Sequence, residues 1–403
     1  MRELKVVMMG LGYIGLPTAA LIASKGIKVQ GVDVNKSVVD TINEGKIHIV
    51  EPELDGLVKD VVENQVLKAS TQPDLADVYL IAVPTPFKGD HEPDLKYVES
   101  ATRMVLPNLK SGDLFIIEST SPVGTTDKIA KTIFEKRPEL KGKINIAYCP
   151  ERVLPGKVLF ELENNDRVIG GLDQESTNAA IDFYRSFVLG ELHSTNARTA
   201  EMCKLVENSS RDVQIAFANE LSVICDKANI NVWELISLAN KHPRVNILQP
   251  GTGVGGHCIA VDPWFIVSDF EKDAVIIKSA REINNYKTEW VIEKIRSTAL
   301  QFEIDNKRKP TIALMGLSFK PDIDDLRESP ALLVVDSLIA DIKYDLILVE
   351  PNIIEADGYN LTEYQKFKEL EIDIVSYLVA HNEFRDYNNN NNAIELDFCG
   401  VKE

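Results

Sequence analysis

What the sequence lacks narrows it first. Five cysteines, at positions 149, 203, 225, 258 and 399, are spread over 403 residues without a CxxC pair. An odd number at such spacing argues against a disulfide framework or a structural zinc site. The six histidines are scattered and form no Cys/His cluster at metal-ligand spacing, so no metal is expected. Positive charge is scarce: 44 Lys and Arg against 62 Asp and Glu leave a net charge of −18, which argues against a nucleic-acid partner. No apolar run approaches the roughly 18 residues of a membrane span, and the first residues enter a strand-like segment without a signal-peptide pattern. The expectation is a cytoplasmic protein with neither membrane nor nucleic acid as partner.

The composition is globular, with 44% hydrophobic and 26% charged residues. A chain of this length exceeds one ordinary core, so two or three domains are expected. Val6–Met9, Val29–Val32, Val78–Val83, Leu114–Glu118 and Ile144–Ala147 read as strands, each followed by turn residues and a helical pattern, which predicts a parallel doubly wound α/β sheet. From about Thr195 to Ala228, apolar residues at 3–4 spacing without Gly or Pro predict one long helix, and helical character returns over Lys278–Gln301. The polar stretch Glu303–Pro310 reads as a linker. A second, smaller α/β unit follows, with strands at Thr311–Met315, Leu346–Glu350 and Ile372–Leu378 and a helix near residues 330–342. The five asparagines 388–392 read as a loop. Boundaries at 1–195, 196–302 and 303–403 are expected.

Gly10-Leu-Gly12-Tyr-Ile-Gly15 follows the first strand and opens an apolar helix, Leu16–Ser24. In that context the glycines let backbone approach a pyrophosphate at a helix N-terminus. Asp33, about 20 residues on, ends the second strand, where an acid bonds the ribose 2′-hydroxyl and repels a 2′-phosphate, so NAD is favoured over NADP. Hydroxyls beyond later strand ends, in Ala82-Val-Pro-Thr85-Pro and Glu118-Ser-Thr120-Ser-Pro-Val-Gly-Thr-Thr126, fall where doubly wound sheets bind ligands, although each alone fits an ordinary cap or turn.

Gly253-Val-Gly-Gly-His-Cys258-Ile-Ala-Val-Asp262-Pro places one thiol behind a glycine run with a carboxylate four residues on. Alone, such a cysteine is more often an inert hydrophobe than a nucleophile. Lys204, Asn208 and Arg211 share one face of the long helix, which its apolar flanks bury. A substrate pocket or an internal salt bridge would satisfy them about equally well. His242-Pro-Arg244 precedes the glycine loop, and an arginine there can clamp a phosphate or carboxylate. Phe319-Lys320 and Arg327 sit where the second α/β unit's first strand meets its helix, an anion-binding position, but Gly316 stands alone, so a mononucleotide is expected there. An NAD site beside a thiol favours a dehydrogenase that proceeds from alcohol to acid, since a thiohemiacetal can release a second hydride and leave a thioester.

Five long segments carry a specific resemblance: Ala82–Pro93, Tyr148–Gly156, Ala200–Leu205, Ala239–Gly251 and Gly255–Trp264. The chain resembles the nucleotide-sugar 6-dehydrogenases (UDP-glucose, GDP-mannose and UDP-N-acetylhexosamine dehydrogenases) over its whole length, and within them the branch acting on UDP-N-acetyl-D-mannosamine. That resemblance implies an N-terminal Rossmann domain for NAD, a central helical dimerisation domain and a C-terminal Rossmann-like domain for UDP. It implies four-electron oxidation of the sugar C6 alcohol with two NAD consumed, by a homodimer or dimer-based oligomer. It also implies roles by position. Cys258 is the nucleophile, Lys204 the proton donor and acceptor, and Asp262 and Asn208 organise water and oxyanion. Arg152, Val153, Lys204, Asn208, Arg211, His242, Arg244 and Gly255 line the sugar-nucleotide site, with Phe319 and Lys320 on the UDP side. Tyr13, Ile14, Asp33, Thr85, Thr126 and Arg327 contact NAD. Val261 stands where UDP-glucose dehydrogenases carry lysine, and Val261 with His257 point to N-acetylated sugars. Cys399 precedes Gly400 where the family usually has a basic residue. The alternatives are UDP-N-acetylglucosamine or UDP-glucose as substrate and, outside the enzymes, a non-catalytic sensor of NAD and nucleotide sugars.

Overall fold

Strand β1 (Lys5–Met9) shows how the first sheet is built. Val6 and Met8 enter one buried cluster with Leu16, Ala20 and Ile22, while Val7 and Met9 enter another with Val98, Val105 and Ile129. Side chains alternate across a strand, so a strand apolar at every position after Lys5 has to be covered on both faces. Seven further strands join it: β2 (Lys28–Val32), β3 (Leu67–Ser70), β4 (Val78–Ile81), β5 (Leu114–Ile117), β6 (Asn145–Tyr148), β7 (Arg167–Gly171) and β8 (Leu192–Asn196). Their order is β8-β7-β6-β5-β4-β1-β2-β3, parallel except that β6 and β7 run antiparallel. Strand order reverses between β1 and β4, the switch point at which such sheets bind ligands.

The computed structural model describes residues 4–403 except 90, 154–155, 257, 342–343 and 389–391, so His257 and most of the asparagine run lie outside the described residues. Its chain divides into two compact units, Met1–Val206 and Glu207–Glu403. The predicted strands appear within two residues of their expected ends. The pattern did not reveal β3, β7, β8, a strand at Ile394–Asp397 or a two-stranded hairpin of Phe87–Lys88 with Glu92–Pro93. Helix α1 (Gly15–Ser24) opens at the third glycine of the fingerprint, and α2 (Thr125–Lys136) follows β5. The long helix α3 (Ala197–Ala228) is capped by the Asn196 side chain, which accepts the Thr199 N–H at 2.9 Å.

In the second unit, α4 (Asp262–Asp269) follows the cysteine loop and leads into α5 (Val275–Asn306). That last helix corrects the expected linker: residues 303–306 are its final turn, ended by Lys307 at φ 55°. A second parallel sheet then forms from β9 (Thr311–Met315), β10 (Asp345–Val349), β11 (Ile374–Tyr377) and β12 (Ile394–Asp397), in the order β10-β9-β11-β12. It too is buried on both faces, with Ile312 and Leu314 on one side and Ala313 and Met315 on the other. Helix α6 (Pro330–Asp341) covers part of it. No helix among the described residues is long and apolar enough to cross a membrane.

Candidate active site

In the first unit the glycine turn is packed against the end of β4. A Cβ on Gly10 would overlap the Ala82 carbonyl and one on Gly15 the Gly10 carbonyl, so neither position accepts a side chain. Gly12 is exposed, and a Cβ there would meet nothing. The turn is therefore closed on the sheet side and open on the outer side, which is the cradle a pyrophosphate needs. Asp33 is oriented by two amides: Oδ2 accepts the Leu11 N–H at 3.1 Å and Oδ1 the Asn35 N–H at 2.9 Å. It remains half-buried, with capacity left on its oxygens for ribose hydroxyls. These residues fit NAD. Tyr13 is exposed, Ile14 half-buried and Thr85 buried at the β4 side.

Thr126 is differently placed. It is fully buried, and its hydroxyl donates to Glu201 Oε1 at 2.7 Å while its amide donates to the same oxygen at 2.8 Å. Glu201 also accepts the Gly124 N–H at 2.6 Å, so this acid from α3 caps the first turn of α2. Lys204, three residues on, is only 8% exposed. Burial pushes the Glu151 carboxyl above the usual carboxylate range, against the pull of the Lys204 ammonium. Glu151 was not among the expected site residues. Its signal was position: it follows β6 in the same segment as Arg152 and Val153, both half-buried. Behind it, Tyr184 donates to the buried Glu118 at 2.5 Å, and Arg167 lies over the Tyr184 ring.

In the second unit the cysteine loop is anchored before it is shaped. A buried polar ladder joins α3 to α5: Arg281 pairs with Asp212 at 2.7 Å, Asn284 donates to Asp212 at 2.7 Å, and Asn219 donates to Asn284 at 2.9 Å. The ladder ends on the loop, where Asn219 Oδ1 accepts the Gly251 N–H at 2.9 Å. Thr252 then donates to the Leu378 carbonyl at 2.6 Å. Beyond it the chain passes through spaces only glycine fits: a Cβ on Gly255 would overlap the Glu328 carbonyl, and one on Gly256 the Phe319 ring. Glycines thus bring the loop against Phe319, an expected UDP-side residue.

Cys258 emerges from this passage exposed. Its carbonyl accepts the N–H groups of Val261 and Asp262 at 3.1 and 2.9 Å, a turn that starts α4. Asp262 is 4% exposed, and its Oδ2 accepts from Asn208 Nδ2 at 2.5 Å. Fifty-four residues separate these two in sequence, so this pairing belongs to the tertiary fold. Arg211, His242 and Arg244 are exposed, and the Arg244 N–H donates to His242 Nδ1 at 3.3 Å. Burial of Arg211, expected from the helix flanks, is not found. Lys320 is exposed, whereas Arg327 forms a two-point pair with Asp325, at 2.6 and 3.0 Å. Cys399 offers no charge in place of the missing basic residue. Burial pushes its thiol well above the ordinary range, and its Sγ lies 3.4 Å from the Tyr377 carbonyl.

Lys204 belongs to the first unit, and Asn208, Cys258 and Asp262 to the second. Within the second unit Asn208, Asp262 and Cys258 form one hydrogen-bonded group, and Gly255, Gly256 and Phe319 form one packed group.

The sequence matches the NAD binding domain of the UDP-glucose/GDP-mannose dehydrogenase family over residues 4–188, its central domain over 198–286 and its UDP binding domain over 313–400. The chain is 56% identical to a UDP-N-acetyl-D-mannosamine dehydrogenase of Campylobacter jejuni over 396 residues, covering 94% of this chain and 96% of that protein. It is 51% identical to an NDP-N-acetyl-D-galactosaminuronic acid dehydrogenase of Ralstonia nicotianae, covering 95% and 92%. Its fold is similar to that of a UDP-D-ManNAc dehydrogenase of Pyrococcus horikoshii, with a TM-score of 0.87 at 38% identity, covering 99% of this chain and 96% of that one. The open glycine turn, the oriented Asp33 and these matches lead to one conclusion: the chain belongs to the UDP-glucose/GDP-mannose dehydrogenase family and is an NAD-dependent nucleotide-sugar oxidoreductase.

Proposed function

We propose that this enzyme oxidises UDP-N-acetyl-D-mannosamine at C6 to UDP-N-acetyl-D-mannosaminuronate, a precursor for surface polysaccharide. One observation carries the chemistry: an exposed Cys258 whose carbonyl is bonded to Asp262, a buried acid held by Asn208 at 2.5 Å. The names of the Campylobacter and Pyrococcus relatives support the substrate.

Bound NAD supplies a hydride acceptor, and two are consumed per sugar. Lys204 takes the proton of the C6 hydroxyl as the first hydride leaves the carbon. Cys258 Sγ adds to the aldehyde carbon, and Lys204 returns a proton to the oxygen to give a thiohemiacetal. Lys204, neutral again, takes the hydroxyl proton as a second hydride leaves that carbon, and a thioester remains. Asp262 and Asn208 then orient a water that displaces the thiol and releases the carboxylate. Asn208 supplies an N–H donor for developing oxyanion charge, which is worth most where solvent is excluded. Arg152, Val153, Arg211, His242, Arg244 and Gly255 line the sugar-nucleotide site, Phe319 and Lys320 the UDP end. Tyr13, Ile14, Asp33, Thr85, Thr126 and Arg327 serve NAD. Each of Thr126 and Arg327 is already bonded within the protein, to Glu201 and Asp325.

The test is NADH formed per sugar from each purified nucleotide sugar. Two NADH per UDP-N-acetyl-D-mannosamine are expected. One indicates a simple alcohol dehydrogenase, none a sensor. Oxidation of UDP-glucose or UDP-N-acetylglucosamine alone would replace the substrate assignment. The Ralstonia relative makes UDP-N-acetylgalactosamine the second sugar to try. Cys258→Ser is expected to lower acid production by at least a thousandfold, because an alkoxide is a far poorer nucleophile to generate at neutral pH than a thiolate. Acid production at the native rate would remove Cys258 from the mechanism.

A homodimer is part of the same proposal, since Phe217 and Ile224, seven residues apart on α3, leave an apolar stripe exposed. The functional domains are taken as 1–195, 196–302 and 303–403. Use of NAD and a UDP-sugar supports a cytoplasmic location.

A further inference from the structure

The loop between β9 and α6, which carries Phe319 and Lys320, is tied to groups beyond the ends of β10 and β11. Glu350 follows β10 and is 5% exposed. Its Oε2 accepts the Leu317 N–H at 2.8 Å and the Ser318 N–H at 3.2 Å, and its Oε1 accepts the Asn352 N–H at 3.0 Å. His381 follows β11, is fully buried, and lies with Nε2 3.0 Å from the same Glu350 oxygen. Its other nitrogen, Nδ1, accepts the Asp322 backbone N–H at 2.9 Å and lies 2.9 Å from Asn352 Nδ2. A backbone N–H can only donate, so Nδ1 carries no proton and Nε2–H is the donor to Glu350. Asp322 is tied once more, its Oδ1 accepting the Asn382 N–H at 3.0 Å. Within the loop, Ser318 donates to the Lys320 carbonyl at 2.8 Å and the Phe319 N–H to the Asp325 carbonyl at 3.0 Å.

Both ring nitrogens of His381 are therefore used, one on the acid at the start of the loop and one on the amide at its far side. Phe319 and Lys320 lie between those two points. We infer that His381 is a positioning residue for the UDP site: it bridges Glu350 to the Asp322 amide and so sets the conformation of the Phe319–Lys320 loop before UDP binds. The inference rests on the proposal that Phe319 and Lys320 contact UDP. A loop already ordered by the protein loses less freedom on binding, which appears as affinity for UDP rather than as rate of oxidation.

The experiment measures UDP binding to the full-length enzyme by calorimetry, with NAD binding and kcat as internal controls. His381→Gln keeps a side-chain donor near Glu350 but withdraws the acceptor from Asp322. The expected result is a five- to tenfold weaker Kd for UDP, about one lost hydrogen bond of positioning, and an equal rise in KM for the UDP-sugar. The Kd for NAD and the kcat at saturating sugar should stay within twofold. His381→Asn places an amide oxygen where Nδ1 was but gives up the donor to Glu350, which still holds Leu317 and Ser318 directly, so it should weaken UDP binding less than His381→Gln, by no more than about threefold. A merely structural role would lower thermal stability in both variants without this ordering. Asn352→Ala, at a half-buried position, carries the test should the His381 variants fail to fold, with an expected two- to threefold weaker Kd. An unchanged UDP Kd in His381→Gln, or in Asn352→Ala, overturns the inference. So does equal weakening in the Gln and Asn variants. Lys320→Ala separates the two levels: if it leaves UDP binding unchanged, the proposal for the loop itself fails. If it weakens UDP while His381→Gln does not, only the role of His381 fails.

Discussion

The two glycine turns, one in each sheet, are built alike and finished differently. After β1, the Gly10 N–H donates to the Val32 carbonyl at 2.8 Å; after β9, the Gly316 N–H donates to the Val349 carbonyl at 2.8 Å. The two glycines have φ of 93° and 95°, a region closed to most side chains. Each next residue, Leu11 or Leu317, donates its N–H to the acid that ends the neighbouring strand, Asp33 or Glu350. Each acid also accepts the amide two residues beyond itself, from Asn35 or Asn352. The divergence comes four residues past the end of the strand that pairs with the other side of β1 or β9, β4 in the first sheet and β11 in the second. Thr85 stands there in the first sheet and His381 in the second, where it donates to the acid. Asp33 is left half-buried with capacity for ribose, while Glu350 is sealed and shared among three protein N–H groups and an imidazole. One backbone rule thus yields a dinucleotide turn when the acid stays open, and a turn whose acid organises its own loop when the acid is closed.

Adding a methyl group is the strongest way to break this comparison. Gly15→Ala puts its Cβ into the Gly10 carbonyl, so the turn must open, and NAD affinity is expected to fall at least a hundredfold, about 3 kcal/mol. UDP binding should persist. Calorimetry with NAD and UDP separately checks both, and joint loss of the two would show that the turns do not act independently. Next in size is Asp33→Asn, which keeps acceptor capacity but removes the charge. A roughly tenfold weaker NAD and a narrowed preference against NADP are expected, since a charge-assisted bond exceeds a neutral one by about 1 kcal/mol. Equal NAD and NADP affinity in the native protein would remove Asp33 from cofactor choice.

The smallest effect is on acid stability. Burial pushes the Glu350 carboxyl up, but the hydrogen bond from His381 and the amides of Leu317 and Asn352 outweigh it, leaving it below the usual range. A group depressed in the folded state contributes stability that is full above its unfolded value, about 4.3 for glutamate, and is lost as pH falls through the lower folded value. Glu350→Gln should therefore flatten the loss of stability as pH falls below about 5. Urea melts at stepped pH give the slope, and an unchanged slope would show that Glu350 does not titrate with unfolding.

The strands missed in the sequence share a cause. Leu67–Ser70 and Leu192–Asn196 lie at the edges of the first sheet, short and only partly apolar, so periodicity has little to register. Arg167–Gly171 opens on a buried arginine, whose guanidinium donates to the Leu162 carbonyl and lies over the Tyr184 ring. The continuation of α5 to Asn306 was hidden because polar residues at an exposed helix end resemble a linker. Glu201, Glu350 and His381 could not have been singled out, because each acts on a partner at least 31 residues away along the chain.

By itself the sequence determined the local steps. A glycine fingerprint between strand and helix, an acid about twenty residues on, and a thiol behind glycines are chemistries of neighbours, and steric and hydrogen-bond rules act on neighbours without knowledge of the rest. Only the tertiary structure decided which groups are open and which are spent. It set Asn208 against Asp262, closed Thr126 on Glu201, passed the Cys258 loop between Phe319 and Glu328, and sealed Glu350 with His381. A buried polar group must find a partner, and which partner reaches it is settled by packing between segments far apart in the chain.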